Sequence, residues 1–189
     1  MAPSAFLSLL DRINDLKRLP RTGWLFAGVP QPESIADHTS AVALLTLVLA
    51  TEINSEPTAH LLSRPLDVGR AVQIALVHDL AESLLTDLPK RSTELISEVV
   101  KHAAELNALH QMLAGHPAQD EIIRYWQEYS EASTPEGRLV RDVDKLEMIH
   151  QALRYEQSGN RNLEEFFRNQ RWHYAVSELT YASLCKSRN

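Results

Sequence analysis

The chain is expected to be all-α, and three observations predict this. Apolar residues recur at three- and four-residue spacing along most of its 189 residues, the periodicity of helices with one buried face. Ser, Pro and Gly fall at the ends of those stretches, where helices start and stop. No stretch alternates apolar and polar residues as a half-buried strand does, and there is no internal repeat or low-complexity tract.

The elements follow in order. Phe6, Leu9, Leu10, Ile13 and Leu16 mark a first amphipathic helix. Pro20 and Gly23 punctuate 17–32, which is rich in Arg, Gly and Pro and reads as irregular. Ser34 is the expected N-cap of a second helix over 35–53, its hydroxyl accepting from an orphan N–H of the first turn. From Ala41 to Ala50 that helix is apolar almost all round, so it is expected to be buried. Residues 54–65 connect it to a third helix over 67–84, apolar through Ala71 to Val77. A loop at 87–90 is stopped by Pro89. Helices over 93–113, 118–131, 135–157 and 170–186 complete the chain. Gly115, His116 and Pro117 separate the first two of these. Pro135 suits the first turn of its helix, where a missing N–H costs nothing. One domain over 1–189 with seven or eight helices is expected, because no linker is long enough to suggest a second domain.

Composition narrows the function. A net charge of -6 argues against a nucleic-acid polymer as partner, since phosphate backbones attract basic faces. A small phosphorylated substrate needs only one or two local cations and stays open. Cys185 stands alone and cannot form an internal disulfide, which fits a reducing cytoplasm. No apolar run is read as approaching the roughly 18 residues of a membrane span. The first ten residues lack the basic start and apolar stretch of a secretory signal.

The chemistry gathers at a few points. His78 and Asp79 end a helix whose preceding turns are too apolar to be exposed, and buried ionisable groups need partners. Glu82 lies four residues after His78 and three after Asp79, on the same helical face. A metal or catalytic cluster fits this convergence, and so does a helix end reaching solvent. His38 sits one turn into the other strongly apolar helix, where a histidine bonded to a backbone carbonyl is the simple alternative. Asp144 lies beside the buried stripe of Leu139, Val140, Val143 and Leu146, where a solvated flank is the simple alternative. Together the two imidazoles and two carboxylates make a coherent ligand set for Mn, Fe, Co, Ni or Zn, with room left for water and a phosphate oxygen.

His38, His78-Asp79 and Asp144 stand in the order H…HD…D, and the chain resembles the HD-domain superfamily of metal-dependent phosphohydrolases, which is all-α. More narrowly it resembles the 5′-deoxynucleotidase branch, the bacterial YfbR-like enzymes and their eukaryotic HD-domain-containing relatives. The matching stretches are Leu16-Lys17-Arg18-Leu19-Pro20-Arg21-Thr22-Gly23-Trp24, Pro32-Glu33-Ser34-Ile35-Ala36-Asp37-His38, Ala75 to Glu82 with Asp87-Leu88-Pro89, and Asp144-Lys145-Leu146-Glu147-Met148-Ile149. The resemblance places the core at about 16–160, with the C-terminal helices packed on it.

It implies hydrolysis of deoxyribonucleoside 5′-monophosphates with one divalent cation (Mn, Co, Fe, Ni, Zn or Mg) held by His38, His78, Asp79 and Asp144. It implies that Arg18 grips the phosphate, with Arg21 assisting. Glu82 would orient or deprotonate the attacking water, and Asp87 would contact the sugar or assist catalysis. Trp24 would wall the pocket and Glu33 would support His38. A homodimer is also implied. Tyr155, Phe166, Phe167, Trp172, Tyr174 and Tyr181 either close the core or form its contact. Two positions depart from the family's habit: Thr86 stands where a glycine often precedes the aspartate matching Asp87, and Leu19 where some bacterial members have Trp. They leave base and sugar selectivity open.

Other members of the superfamily bind two metals and oxidise substrates or cleave cyclic dinucleotides, using extra histidines between the His-Asp pair and the last aspartate. His102, His110 and His116 fall in that interval. His102 and His110, eight residues apart on a helix, are separated by roughly 12 Å of rise and do not suit one metal. A catalytically silent nucleotide-binding module is the remaining alternative, but it would be expected to have lost a ligand or Glu82.

Overall fold

Ten α-helical segments run through residues 3–188, which a computed structural model describes, with side chains from residue 6 onward. They are α1 (Pro3–Asp15), α2 (Thr22–Phe26), α3 (Ile35–Ile53), α4 (Val68–Val77), α5 (Glu82–Leu85), α6 (Lys90–Ile96), α7 (Glu98–Met112), α8 (Gln119–Glu131), α9 (Pro135–Gln157) and α10 (Ala175–Lys186). Two 3-10 turns lie at Pro57–His60 and Glu164–Phe167. Seven of the ten segments have ten residues or more, which is the set expected from periodicity. The remainder are short: α2 lies in a stretch read as irregular, and α5 and α6 overlap the ends of longer helices that the sequence marked. Among the described residues the only β-type pairing is one bridge, Pro20 with Ser34.

Local chemistry explains the best-defined helices. Ser34 caps α3 by accepting from Asp37 N–H, while the Asp37 carboxylate accepts from Ser34 N–H, a reciprocal box that satisfies two otherwise orphaned donors. Thr134 caps α9 by accepting from Gly137 N–H, with Pro135 in the first turn. Helix α3 is apolar enough to meet a composition test for crossing a membrane, with a mean hydropathy of 1.2. That corrects the expectation that no run approaches such a length. Its inner face packs on α4 and α9 and includes Ile35, Val42, Ala50 and Ile53, all fully buried.

Three apolar clusters hold the elements. One joins α3, α4 and α9 through Val42, Ile74, Leu139 and Val143. A second joins α1, the start of α3, α7 and α8 through Leu9, Ile35, Leu109 and Trp126. A third packs Trp24 and Val29 on the last turns of α9 through Ile149, Ala152 and Leu153. The C-terminal aromatics pack within the chain: Phe167 is buried in this third cluster and Tyr174 in the first, and Trp172 stacks on Tyr181 at 5.3 Å.

Three boundaries differ from the expectation. The helix expected over 67–84 ends at Val77, and i→i−3 hydrogen bonds carry the chain through 78–81 as tight turns into α5. No Gly or Pro marks that break. Leu80 and Ala81 are drawn into the second cluster, and this packing overrides helix propensity. The helix expected over 93–113 is two, α6 and α7, separated at Ser97, whose φ of 69° leaves the helix and whose side chain caps α7. The last helix begins at Ala175 rather than 170, because the buried Asp142 carboxylate accepts from His173 N–H and Tyr174 N–H and ties down the extended chain ahead of it.

Candidate active site

The four expected ligands come from three elements that the core brings together. His38 is fully buried in the second turn of α3. Its Nδ1 donates to Glu147 Oε2 at 2.6 Å and its Nε2 to Asp144 Oδ1 at 3.1 Å. Burial and the Arg21 charge would lower its pKa. The hydrogen bonds to Asp144 and Glu147 outweigh them and push it up to about 9.

His78 stands where α4 ends. Its Nδ1 donates to Ala75 O at 2.7 Å, and its Nε2 faces Asp79. That Nε2 is buried and has no hydrogen-bond partner among the described residues. Asp79 Oδ2 lies 3.2 Å from it and 3.8 Å from His38 Nε2. Asp144, on α9, accepts from Tyr129 O–H at 2.6 Å. Ligand atoms of His38, His78 and Asp144 lie within 4.8 Å of one another. Burial opposes ionisation of Asp79 and Asp144. For Asp79 the charges of His78 and Arg21 outweigh it, and for Asp144 the His38 hydrogen bond and charge, so both stay well below the usual carboxylate range. A buried, unpartnered imidazole nitrogen beside two ionised carboxylates and a second imidazole fits a divalent cation.

The loop over 17–32 delivers the remaining groups. Arg21 N–H donates to Glu33 O, and Ile35 N–H to Leu19 O, so this segment is stitched to the start of α3. Arg21 therefore turns inward. Its Nη1 donates to Asp79 Oδ2 at 3.0 Å and its Nη2 lies 4.0 Å from Asp144 Oδ1.

The expectation for Arg18 needs correction. Its side chain is exposed and pairs with Asp15 at 2.7 Å, and it does not line the pocket. The hydrogen bonds that seat Arg21 leave Arg18, three residues earlier, on the outside of the turn.

The pocket holds about 650 Å³ and is lined by Arg21, Trp24, Asp79, Glu82, Asp87 and Asp144 among others. Glu82 reaches it from α5, not from a continuous helix shared with His78. Its Oε2 is buried without a partner among the described residues. Burial, then the charges of Asp79 and Asp87, raise its pKa well above that of an ordinary glutamate. Asp87 accepts from Thr22 N–H at 2.7 Å and, through its backbone carbonyl, from Thr22 O–H at 2.7 Å. It thus ties its loop to the first turn of α2 beside Arg21. Trp24 is buried, stacks on Phe166 at 4.2 Å and donates its indole N–H to Glu33 Oε1 at 2.9 Å.

Glu33 lies close behind His38, within the Glu33, His38 and Glu147 cluster. The direct support of the ring is Glu147, which sequence reasoning missed. The signal was its position three residues after Asp144, on one face of a helix. Tyr129 was missed as well, and nothing local announced it. His102 stacks near Trp126, His110 lies beside Gln119, and His116 accepts from Ala118 N–H. None of the three lines the pocket, so the geometry does not favour a second metal there.

An all-helical scaffold with two carboxylates lining a pocket and two buried imidazoles against them defines a metallohydrolase-type centre. The chain belongs to the HD domain family, which it matches over residues 13–183 and whose phosphohydrolases are metal-dependent. It is 36% identical over 171 residues to the Schizosaccharomyces pombe 5′-deoxynucleotidase hdd1, covering 86% of this chain and 79% of that one. It is 34% identical over 166 residues to the Danio rerio 5′-deoxynucleotidase HDDC2, covering 85% and 76%. Among solved structures it superimposes on the PH0347 protein of Pyrococcus horikoshii with a TM-score of 0.79 at 39% identity, covering 95% of this chain and 98% of that chain.

Proposed function

We propose that this chain removes the 5′-phosphate of deoxyribonucleoside 5′-monophosphates. One observation carries the reading: Arg21 and the buried Glu82 line one pocket with Asp79 and Asp144, and those two carboxylates lie against the buried His38 and His78. This is the equipment a phosphomonoester needs, and the relatives named 5′-deoxynucleotidase supply the substrate class.

His38, His78, Asp79 and Asp144 would hold one divalent cation, drawn from Mn, Co, Fe, Ni, Zn and Mg. When bound, such a cation supplies charge to offset the phosphate and acidifies water in contact with it. Arg21 presents its planar fork to the phosphate oxygens, held in orientation by Asp79 and by the backbone bond to Glu33. Glu82 binds a proton more tightly than a surface glutamate. That suits it to take a proton from the attacking water and return one to the departing 5′ oxygen. Glu147 holds the His38 ring in register. Asp87 and Thr22 brace the segment carrying Arg21. Trp24 and Phe166 wall the side toward the nucleoside, where sugar and base selection would lie.

A second copy of the chain would cover the apolar face that α1 and α3 leave open, where Phe6, Leu7, Leu10, Leu44, Leu47 and Val48 are exposed beside an apolar groove of about 620 Å³. Sedimentation of Leu44→Glu as a lighter species than wild type would support this; a monomeric wild type would end it.

The deciding experiment is phosphate release from a panel of deoxy- and ribonucleoside 5′-monophosphates, using metal-stripped protein with each cation restored. Cation-dependent release with a deoxy preference is expected, lost in Asp79→Ala together with cation binding, and lost in Glu82→Ala with cation binding kept. Silence with every cation would sink the reading.

A further inference from the structure

Six cationic side chains besides Arg21 line the pocket, and most are already engaged. Arg91 lies over the Phe26 ring at 4.6 Å and Arg168 reaches Glu164 at 3.5 Å. Arg141 donates to Ser130 O at 2.9 Å, and Lys145 pairs with Asp142 at 3.3 Å while lying over Trp172. Lys90 is exposed at the start of α6. Lys101 differs. It reaches the pocket from α7, half-buried, and its one ion-pair partner among the described residues is Glu105 at 3.5 Å. That is long for a hydrogen bond and leaves ammonium donors over.

A further cation in this pocket would add to the charge that offsets the phosphate. A phosphate monoester brings nearly two negative charges into a pocket that already contains Asp79, Asp87 and Asp144. The Arg21 guanidinium is partly spent on Asp79 and Asp144. Burial would lower the Lys101 pKa, but Glu105, Glu82, Asp79 and Asp87 outweigh it, so the ammonium stays charged and close to the reacting groups. A lysine adds a compact charge with three donors on a flexible stem. It can follow a phosphate through turnover where a rigid fork cannot.

We propose that Lys101 is a second phosphate-holding residue, reaching the substrate phosphate from α7 while Arg21 reaches it from the segment before α2. The inference rests on the nucleotidase reading for its substrate, and its test separates the two. With cation restored, wild type, Lys101→Met and Lys101→Arg are compared for kcat/KM on a deoxynucleotide, and for competitive inhibition by inorganic phosphate and by the product deoxynucleoside. Lys101→Met is expected to lose roughly tenfold to hundredfold in kcat/KM, the worth of one charged hydrogen bond. Phosphate inhibition should weaken to a similar degree, inhibition by the deoxynucleoside should hold, and Lys101→Arg should restore most of the loss. Unchanged phosphate inhibition in Lys101→Met, or equal weakening of both inhibitors, would overturn the proposal. Calorimetric titration of inorganic phosphate into the cation-loaded proteins reads the same contrast without turnover. An inactive wild type would therefore end the nucleotidase reading while Lys101 was still decided.

Discussion

Arg18 and Arg21 lie three residues apart, and the geometry assigns them opposite importance. The Arg21 side chain is 16% exposed and bonded to Asp79, whereas that of Arg18 is 75% exposed and bonded to Asp15. On the proposed reading, replacing Arg21 with Met removes two charged hydrogen bonds to the phosphate, each worth about 1.5–3 kcal/mol. Even at the low end this is about 3 kcal/mol, or roughly a hundredfold in kcat/KM. It also strips Asp79 of a buried partner, a loss on the order of 3 kcal/mol. For a chain of this size that lowers the Tm of the cation-free protein by roughly 6–12 °C. Arg18→Met removes one surface pair, worth about 0–1 kcal/mol, and no pocket contact. The assay is phosphate-release kinetics on both variants, with scanning calorimetry of the cation-free proteins. A hundredfold loss in Arg18→Met alongside near-normal Arg21→Met would refute the assignment and return the phosphate to Arg18.

Three other substitutions probe the ligand support, a buried ion pair and a strained turn. Glu147→Ala takes away the acceptor for His38 Nδ1. It should weaken cation affinity by about 10- to 100-fold, measured by titration calorimetry, while Glu147→Gln, which keeps an oxygen acceptor, loses less. Glu136 is buried and forked by Arg64 at 2.8 and 3.2 Å. Burial would raise its pKa, but the Arg64 hydrogen bonds and backbone N–H groups hold it below 4.5. Its stabilisation is therefore present above that pH and lost as pH falls through the lower folded value. The Tm gap between wild type and Glu136→Gln should close on acidification, and a gap independent of pH would contradict the ion pair. Thr86 adopts φ 65° and ψ 164°, a region that essentially only glycine occupies without strain. Thr86→Gly should raise the Tm, the relief of about 1–3 kcal/mol exceeding the added chain entropy of about 0.5–1 kcal/mol. A lower Tm would show the strain to be absent.

What the sequence alone determined is what local chemistry encodes. Helices α3 and α9 were legible to the residue, 35–53 and 135–157, because Ser34 and Pro135 mark their starts and apolar runs carry them. His38, His78, Asp79 and Asp144 were legible as an ordered pattern of candidate ligands through the family resemblance, and the fold brings their side chains together. Glu82 was singled out as part of a converging group on one helix face, a geometry that does not exist: it lines the pocket from α5, after a chain of tight turns. Tertiary structure decided the rest, because each remaining choice depends on partners distant in the sequence. His38 finds Glu147 across 109 residues, and Arg21 finds Asp79 across 58. The break after Val77 has no local breaker and arises from burying Leu80 and Ala81 against other helices. Spacing and propensity report a residue's own helix face, whereas the choice between Arg18 and Arg21 was made by the backbone bonds that stitch 17–32 to α3 and turn only one of them inward.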